Sequence, residues 1–238
     1  MNDLLTHLDQ LHTTELGQIR IRKNLHLNVL DVVSWCKETI KNSDIIFGLG
    51  KNWYVYHNGI VLTINAHSLT IITAHKINPK VRVMQESHYA CLRELLYQAI
   101  FIPDATQPPP RSIINQPEIF VYIKDFGSQS GDFGVVAEQN GQIIGAAWTR
   151  IIPAYGFIDQ ATPELAISLF PEFRGYGIGT KLMTKLLEIL RENGYKRTSL
   201  SVQKDNPAVR FYQRLGYKLS GESLDQTGHE DYLMIKEL

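Results

Sequence analysis

Residues 164–193 carry the pattern that most restricts how this chain folds. An apolar run (LAISLF) meets a Pro-containing turn, then three glycines in five positions (Gly175, Gly177, Gly179), and then a helix. After Gly177, the apolar residues Ile178, Leu182, Met183, Leu186, Leu187 and Leu190 recur at helical spacing, and Gly194 sits where a helix C′ residue belongs. A strand that runs into glycines and opens a helix is a physical solution for holding phosphate. Free backbone N–H groups at the helix start point at the anion, and glycine lets the backbone approach closely. Two phosphate loops are excluded by the residues themselves. A Walker A loop needs Lys and then Ser or Thr after its last glycine, whereas Gly179 is followed by Thr180, Lys181 and Leu182. A dinucleotide fingerprint needs Gly-x-Gly-x-x-Gly, and counting from Gly175 or Gly177 puts Thr180 or Leu182 at the third glycine.

Strands and helices alternate around that segment. Residues 133–138, 142–152 and 162–170 read as an antiparallel meander, with a turn at Gln139-Asn140-Gly141. After the helix come a strand at 198–202, a helix opened by Asn206-Pro207 and reaching Leu215, and closing strands at 217–220 and 231–235. Upstream, 90–101 reads as a helix, Pro108-Pro109-Pro110 cannot be helical, and 113–122 reads as a short helix or strand. Nearer the N-terminus, 28–41 places Val29, Val32, Val33, Cys36 and Ile40 on one helix face with Asn28 as N-cap. Runs at 53–56, 60–64 and 69–73 then suggest a small antiparallel sheet. The stretch 76–86, with Asn78-Pro79 in it, breaks the pattern, so the expected domains are a small α+β unit at 1–80 and a larger one at 86–238.

The loop does match Arg-x-x-Gly-x-Gly, spelled by Arg174, Gly177 and Gly179 in RGYGIGT, and DNPAVRFYQRLGY adds an Asn-Pro helix with the strand it feeds. With these two motifs in this order, the chain from residue 86 to its C-terminus resembles the GNAT superfamily of N-acetyltransferases. The resemblance implies an α+β / α/β fold with a mixed, mostly antiparallel central sheet flanked by helices. It implies acetyl-CoA as acyl donor, its diphosphate held by Arg174, Gly175, Tyr176, Gly177, Ile178, Gly179 and Thr180. The pantetheine arm would lie in a gap between strand 162–170 and strand 199–202, bonding the main chain of Ile167, Ser168 and Leu169 like an extra strand. A backbone N–H near Leu169 would polarise the thioester carbonyl, and the Asn206 side chain would contact pantetheine. Bland readings stand beside these: a tight turn with Arg174 as a surface charge, Ile167 and Leu169 as alternating core residues, and Asn206 as an N-cap.

An amine attacks only when unprotonated, and a lysine-like amine has a pKa of about 10.4, so a base is required. By the same resemblance Glu164, at the start of the central strand, is the candidate base and Tyr212 the acid that protonates the departing thiolate. Glu164 also reads as a strand-end surface carboxylate, and Tyr212, with Phe211 and Leu215, as a packed helix face. Glu172 sits in the turn and points to solvent. Cys36 and Cys91 fall outside the motifs and no Ser-His pair is evident, so direct transfer in a ternary complex is expected. The expected reaction moves an acetyl group from acetyl-CoA to a primary amine of a small-molecule or peptide acceptor. The acceptor site would be shaped by 90–126 and 153–160. The alternative is a non-catalytic acyl-CoA sensor whose N-terminal unit binds a partner.

Composition narrows the setting. Lys+Arg and Asp+Glu number 24 each, so the net charge is +0 and offers no general attraction for nucleic acid or anionic membrane. The N-terminal MNDLLTHLDQ carries acids where a secretory signal carries bases, and no stretch approaches the roughly 18 apolar residues of a membrane span. Two unpaired cysteines fit a reducing cytoplasm. A homodimer is left open. Six histidines (His7, His12, His26, His57, His67, His75) precede the boundary without His-x-x-x-His or Cys-x-x-Cys spacing, so no metal is expected. The stretch HTTELGQIRIRKNLHL, with GKNWYVY and ITAHK, is similar to a small bacterial domain family of unknown function. Arg20, Arg22 and Lys23 alternate with Ile19 and Ile21 as a solvated basic edge.

Overall fold

The structure, a computed structural model, describes residues 3–103, 107–139, 141–224 and 230–238. Asn140 of the meander turn, Met1 and Asn2, and 104–106 within the expected acceptor region lie outside them. The chain divides into two compact units, Met1–Asn78 and Pro79–Leu238.

The first unit holds α1 (Asp3–Thr6), α2 (Glu15–Leu25), α3 (Val32–Lys41) and a four-stranded antiparallel sheet of β1 (Ile45–Leu49), β2 (Asn52–His57), β3 (Ile60–Asn65) and β4 (Ile71–Lys76), in that order. The segment read as a basic edge is the helix α2. Thr14 caps it by accepting from the Gly17 N–H at 3.1 Å, and Ile21 and Leu25 are buried in the core. Arg22, half-buried, donates to Leu30 O at 2.9 Å. The cap of α3 is Asp31 rather than Asn28, because Asp31 Oδ1 accepts from both Val33 N–H (2.8 Å) and Ser34 N–H (3.1 Å). Val32, Cys36 and Ile40 are fully buried with Leu62, Ile64 and Ile71, which closes this unit's own core. Among the described residues no three side chains of the metal-ligating types gather as a site.

The second unit is built on a seven-stranded sheet. Its strands are β5 (Lys80–Val83), β6 (Phe133–Gln139), β7 (Gln142–Arg150), β8 (Glu164–Leu169), β9 (Arg197–Gln203), β10 (Lys218–Leu224) and β11 (Glu230–Glu237), in the order β10-β11-β9-β8-β7-β6-β5. The pattern break at 76–86 therefore contains a strand: β5 runs antiparallel to β6, with Val81 opposite Ala137. Four residues were too few for periodicity to reveal it. All neighbours are antiparallel except β8 and β9. Helix α4 (Leu92–Ala99) packs Leu92, Leu95 and Leu96 with Val136, Ala146 and Trp148 on one face. On the way back to β6 the chain makes the single turn α5 (Pro117–Phe120). Helix α6 (Ile178–Glu192) buries the same apolar residues the spacing singled out and ends where Gly194 adopts a left-handed φ of 84°. The short α7 (Ala208–Arg214) follows β9.

A buried ion pair ties the segment before β6 to β7. Arg150 Nε and Nη2 bond the two Asp132 oxygens at 2.8 and 3.0 Å, Arg150 Nη1 donates to Val121 O at 2.9 Å, and Asp132 Oδ2 accepts the Gly127 N–H at 2.8 Å. Both charges are fully hydrogen-bonded, the condition under which such a pair survives burial.

Candidate active site

The register of β8 decides which of its groups are available. The Phe170 N–H donates to Ile144 O at 3.0 Å. In the antiparallel pair with β7, the peptide groups of Glu164, Ala166 and Ser168 therefore bond β7, and those of Leu165, Ile167 and Leu169 point toward β9. β9 meets that edge only at its foot, where Ser199 N–H donates to Pro163 O at 3.1 Å and Ser199 is the register partner of Glu164. Among the described residues the pairing goes no further, so the main chain of Ile167 and Leu169 faces a gap. Ser168 uses its main chain on β7 instead. Its hydroxyl, on the same face as Glu164, is buried without a hydrogen-bond partner.

The glycine loop lies at the top of that gap. Gly177, the N-cap of α6, has φ 72° and no side chain caps the helix. The first helical bond is Lys181 N–H to Gly177 O, at 3.2 Å, so the N–H groups of Ile178, Gly179 and Thr180 have no partner within the helix. A Cβ at Gly177 would meet nothing within 4 Å, so the left-handed backbone is what selects glycine there. At Gly179 crowding selects it: a Cβ would stand 3.3 Å from Phe211 Cζ and 3.8 Å from Ile167 Cδ1. That close approach brings α7 and β8 to the helix start. Tyr176 and Ile178 are 3% and 1% exposed, so within the loop they offer main chain while their side chains fill the core. Arg174 is a clamp. It donates from Nε to Leu169 O at 2.9 Å and from Nη2 to Gln98 O at 2.8 Å, joining the loop to β8 and to α4. Beside the loop a concavity of about 590 Å³ runs along α6, lined by Gly177, Thr180, Lys181, Thr184, Lys185 and Glu188.

Asn206 takes the capping role: its Oδ1 accepts the Ala208 N–H at 2.9 Å, ahead of α7. Tyr212, on α7, packs its ring against Phe211 and Tyr217 with centroids at 5.4 and 5.9 Å. Burial pushes its hydroxyl well above the usual tyrosine range, so it stays protonated through the neutral region.

Glu164 is not a surface carboxylate. It is 2% exposed, and burial pushes its pKa up to about 7 against the opposing effect of two donors. The Tyr122 hydroxyl and the Gly156 N–H, at 2.8 Å, both donate to Oε1, while Oε2 is buried without a partner. A Cβ on Gly156 would stand 2.7 Å from Oε1, so this glycine is the close wall of the carboxylate. Trp148, wholly buried, donates from Nε1 to Tyr122 O at 3.1 Å and so fixes the backbone that carries Tyr122. Neither Tyr122 nor Gly156 was singled out from the sequence, because no spacing links 122, 156 and 164. Both lie in the segments, 90–126 and 153–160, expected to shape the acceptor site. Glu164 stands five residues from Leu169, roughly 17 Å along an extended strand, and three from Ile167, roughly 10 Å. Both cysteines are poor nucleophiles here, since burial pushes the thiol of Cys36 up to about 12 and that of Cys91 up to about 11.

A sheet that opens between two parallel strands, with an uncapped helix start over the opening, defines a fold that holds an extended ligand ending in an anion. Residues 96–217 match the family model described as the acetyltransferase (GNAT) family, and the chain belongs to that family. Residues 5–75 match a second model, described as a protein of unknown function (DUF3781). Among individual relatives, an uncharacterized N-acetyltransferase of Mycobacterium tuberculosis (strain H37Rv) is 35% identical over 109 residues, 44% of this chain and 66% of the relative. The 5-NmdU N-acetyltransferase of Pseudomonas phage PaMx11 is 33% identical over 122 residues, 49% of this chain and 83% of the relative. The match to protein YyaT of Bacillus subtilis spans 65% of that relative, so the first curated relatives are each spanned over just under two thirds of their length. Solved structures share the fold. An N-acetyltransferase from Staphylococcus aureus Mu50 superposes with a TM-score of 0.51 at 19% identity, covering 67% of this chain and 98% of its own. The paia N-acetyltransferase from Thermoplasma acidophilum, in complex with coenzyme A, gives 0.50 at 18% identity, covering 68% and 100%. No described helix is long and apolar enough to cross a membrane.

Proposed function

We propose that the second unit transfers an acetyl group from acetyl-CoA to a primary amine, directly and in a ternary complex. The observation that carries this reading is the confinement of β8–β9 pairing to Glu164↔Ser199 at the foot of β8, which leaves the strand edge at Ile167 and Leu169 open beside the uncapped start of α6. The helix start supplies three N–H groups for a diphosphate, with Lys181 and Lys185 on the adjoining concavity for further phosphate charge. The gap-facing main chain of Ile167 and Leu169 suits a pantetheine amide. Since Arg174 holds Leu169 O, the free offers there are the two N–H groups and Ile167 O. The diphosphate contacts come from the backbone of 175–180, and Arg174 supports them by fixing the loop rather than by touching phosphate.

The thioester supplies an activated acetyl group. Glu164, poised near neutral pH, takes the proton that the attacking amine must lose, by way of ordered water across the roughly 10 Å to Ile167. The gap-facing N–H groups stabilise the negative charge that develops on the carbonyl oxygen. Tyr212 gives its hydroxyl proton to the departing sulfur, so that the products are the N-acetylated amine and free CoA thiol. Asn206, with Oδ1 held by its cap, can reach pantetheine only through Nδ2. Residues 1–80 and 86–238 act in this reading as separate domains in a soluble, cytoplasmic protein, and the first domain has no part in the chemistry.

The test is free-thiol release from acetyl-CoA across small amines, polyamines, aminoglycosides, amino acids and peptides. Release with at least one class supports transferase activity. Acetyl-CoA binding without release across the whole panel points to the sensor reading, and no binding at all excludes both.

A further inference from the structure

The mechanism uses Glu164 but leaves unexplained why one of its oxygens is doubly occupied and the other bare. Two donors, the Tyr122 hydroxyl and the Gly156 N–H, converge on Oε1, and among the described residues no hydrogen-bond partner meets Oε2. A buried unpartnered carboxylate oxygen calls for a functional account, because leaving it unmatched is costly. Its surroundings are polar and equally unmatched. Ser199, wholly buried and the register partner of Glu164, and Ser168, two positions beyond Ala166 on the same face, each carry a hydroxyl without a partner. The charged groups nearby are already committed. Arg150, the register partner of Glu164 on β7, is paired with Asp132, and Arg197 on β9 is paired with Asp159 and donates to Thr162 Oγ1 at 2.8 Å. On the other side stand Tyr122 and, bonded near it, Tyr155; burial and the Glu164 carboxylate keep the Tyr122 hydroxyl protonated at neutral pH. Among the described residues no cation is therefore placed to hold Glu164 ionised, and that task falls to Tyr122 and the Gly156 amide.

We propose that Tyr122 is a positioning residue for the acetyl transfer: it locks Glu164 through Oε1 so that Oε2, on the sheet face that also carries the Ser199 and Ser168 side chains, is the atom that takes the amine's proton. The step breaks an N–H bond of the amine and forms an O–H bond at Oε2, through water or the serine hydroxyls. This rests on the reading of Glu164 as the base. Because a hydroxyl that donates to a carboxylate favours its ionised form, Tyr122 also sets the pH at which the base becomes competent.

The test uses the full chain and needs no acceptor. Melting temperature is followed from pH 4.5 to 9 for the wild type and Tyr122→Phe, each with and without Glu164→Gln, so that subtraction within each pair isolates the Glu164 carboxyl. In the wild-type background the difference is expected to grow up to about pH 7 and then level. In the Tyr122→Phe background it should go on growing to a pH higher by about one unit or more. If Tyr122→Phe lowers the melting temperature equally at every pH and leaves that levelling point unmoved, the hydroxyl is merely structural and the proposal fails. Should Tyr122→Phe not fold, the ¹³C carboxyl resonance of Glu164 in the wild type decides: titration near neutral pH is expected, and titration below pH 5 overturns the proposal. Turnover of Glu164→Gln alone tests the base reading separately, since full thiol release by that variant removes the base whatever the melting curves show.

Discussion

At the Leu169 end of β8 the polar groups left unpaired are main-chain N–H groups of the strand and of the glycine-rich helix start, whereas the Glu164 end gathers two side chains and a backbone amide from three separate stretches. The first arrangement is local. A left-handed Gly177, a crowded Gly179 and the clamp from Arg174 to Leu169 O lie within eleven residues of one another. The second is wholly tertiary: Tyr122, Gly156 and Glu164 come from separate stretches, and Trp148 and Arg150 tie the backbone at 121–122 to β7. A main-chain site tolerates changes of side chain so long as the backbone path is kept. A side-chain site depends on each member and on the burial that tunes it.

The largest expected effect falls on the side-chain end. Glu164→Gln should lower turnover by roughly 10²- to 10⁴-fold with acetyl-CoA affinity kept, read by thiol release and calorimetry. Unchanged turnover would make that end structural and leave the loop as the whole of the site. The same variant should gain on the wild type in stability as pH rises. Folding raises the carboxyl from 4.5 to about 7, so the stability it contributes is full below about pH 4.5 and is lost as pH climbs through 7. Denaturant unfolding should show Glu164→Gln ahead of the wild type by roughly 3 kcal/mol at pH 8 and level with it near pH 4.5. An advantage independent of pH contradicts the buried-charge account. A smaller effect is expected on α7, where Tyr212→Phe should slow turnover by about tenfold, with little change in acetyl-CoA affinity. If turnover holds, Tyr212 serves only to pack against Phe211 and Tyr217.

The contrast also explains what could be read in advance. The glycine loop, α6 and the meander β6-β7-β8 were legible because each is specified by nearby residues: left-handed glycines, a 3.6-residue apolar period, alternating strands. Glu164 could be placed at a strand start, but its burial could not, since that depends on Tyr122 and Gly156, residues 42 and 8 positions away. Arg174 shows the same limit. Its position in the motif was plain, yet its guanidinium bonds Gln98 O, 76 residues upstream. In the first unit, Arg20, Arg22 and Lys23 suggested a basic edge because charges alternate there with Ile19 and Ile21. Thr14 as N-cap and the burial of Ile21 and Leu25 settle that stretch as a helix. β5 was missed because four residues bear no period, and its place is fixed by pairing with β6.

The central claim, that the opening beneath α6 is the acyl-donor site, is tested most directly by calorimetric titration of acetyl-CoA into the wild type and Gly177→Glu. The substitution puts a side chain on a φ of 72° and a negative charge where the diphosphate is placed. Saturable binding by the wild type and an affinity about 100-fold weaker in the variant are expected, the combined cost being roughly 3 kcal/mol. Equal affinity in a variant that remains folded would contradict the placement.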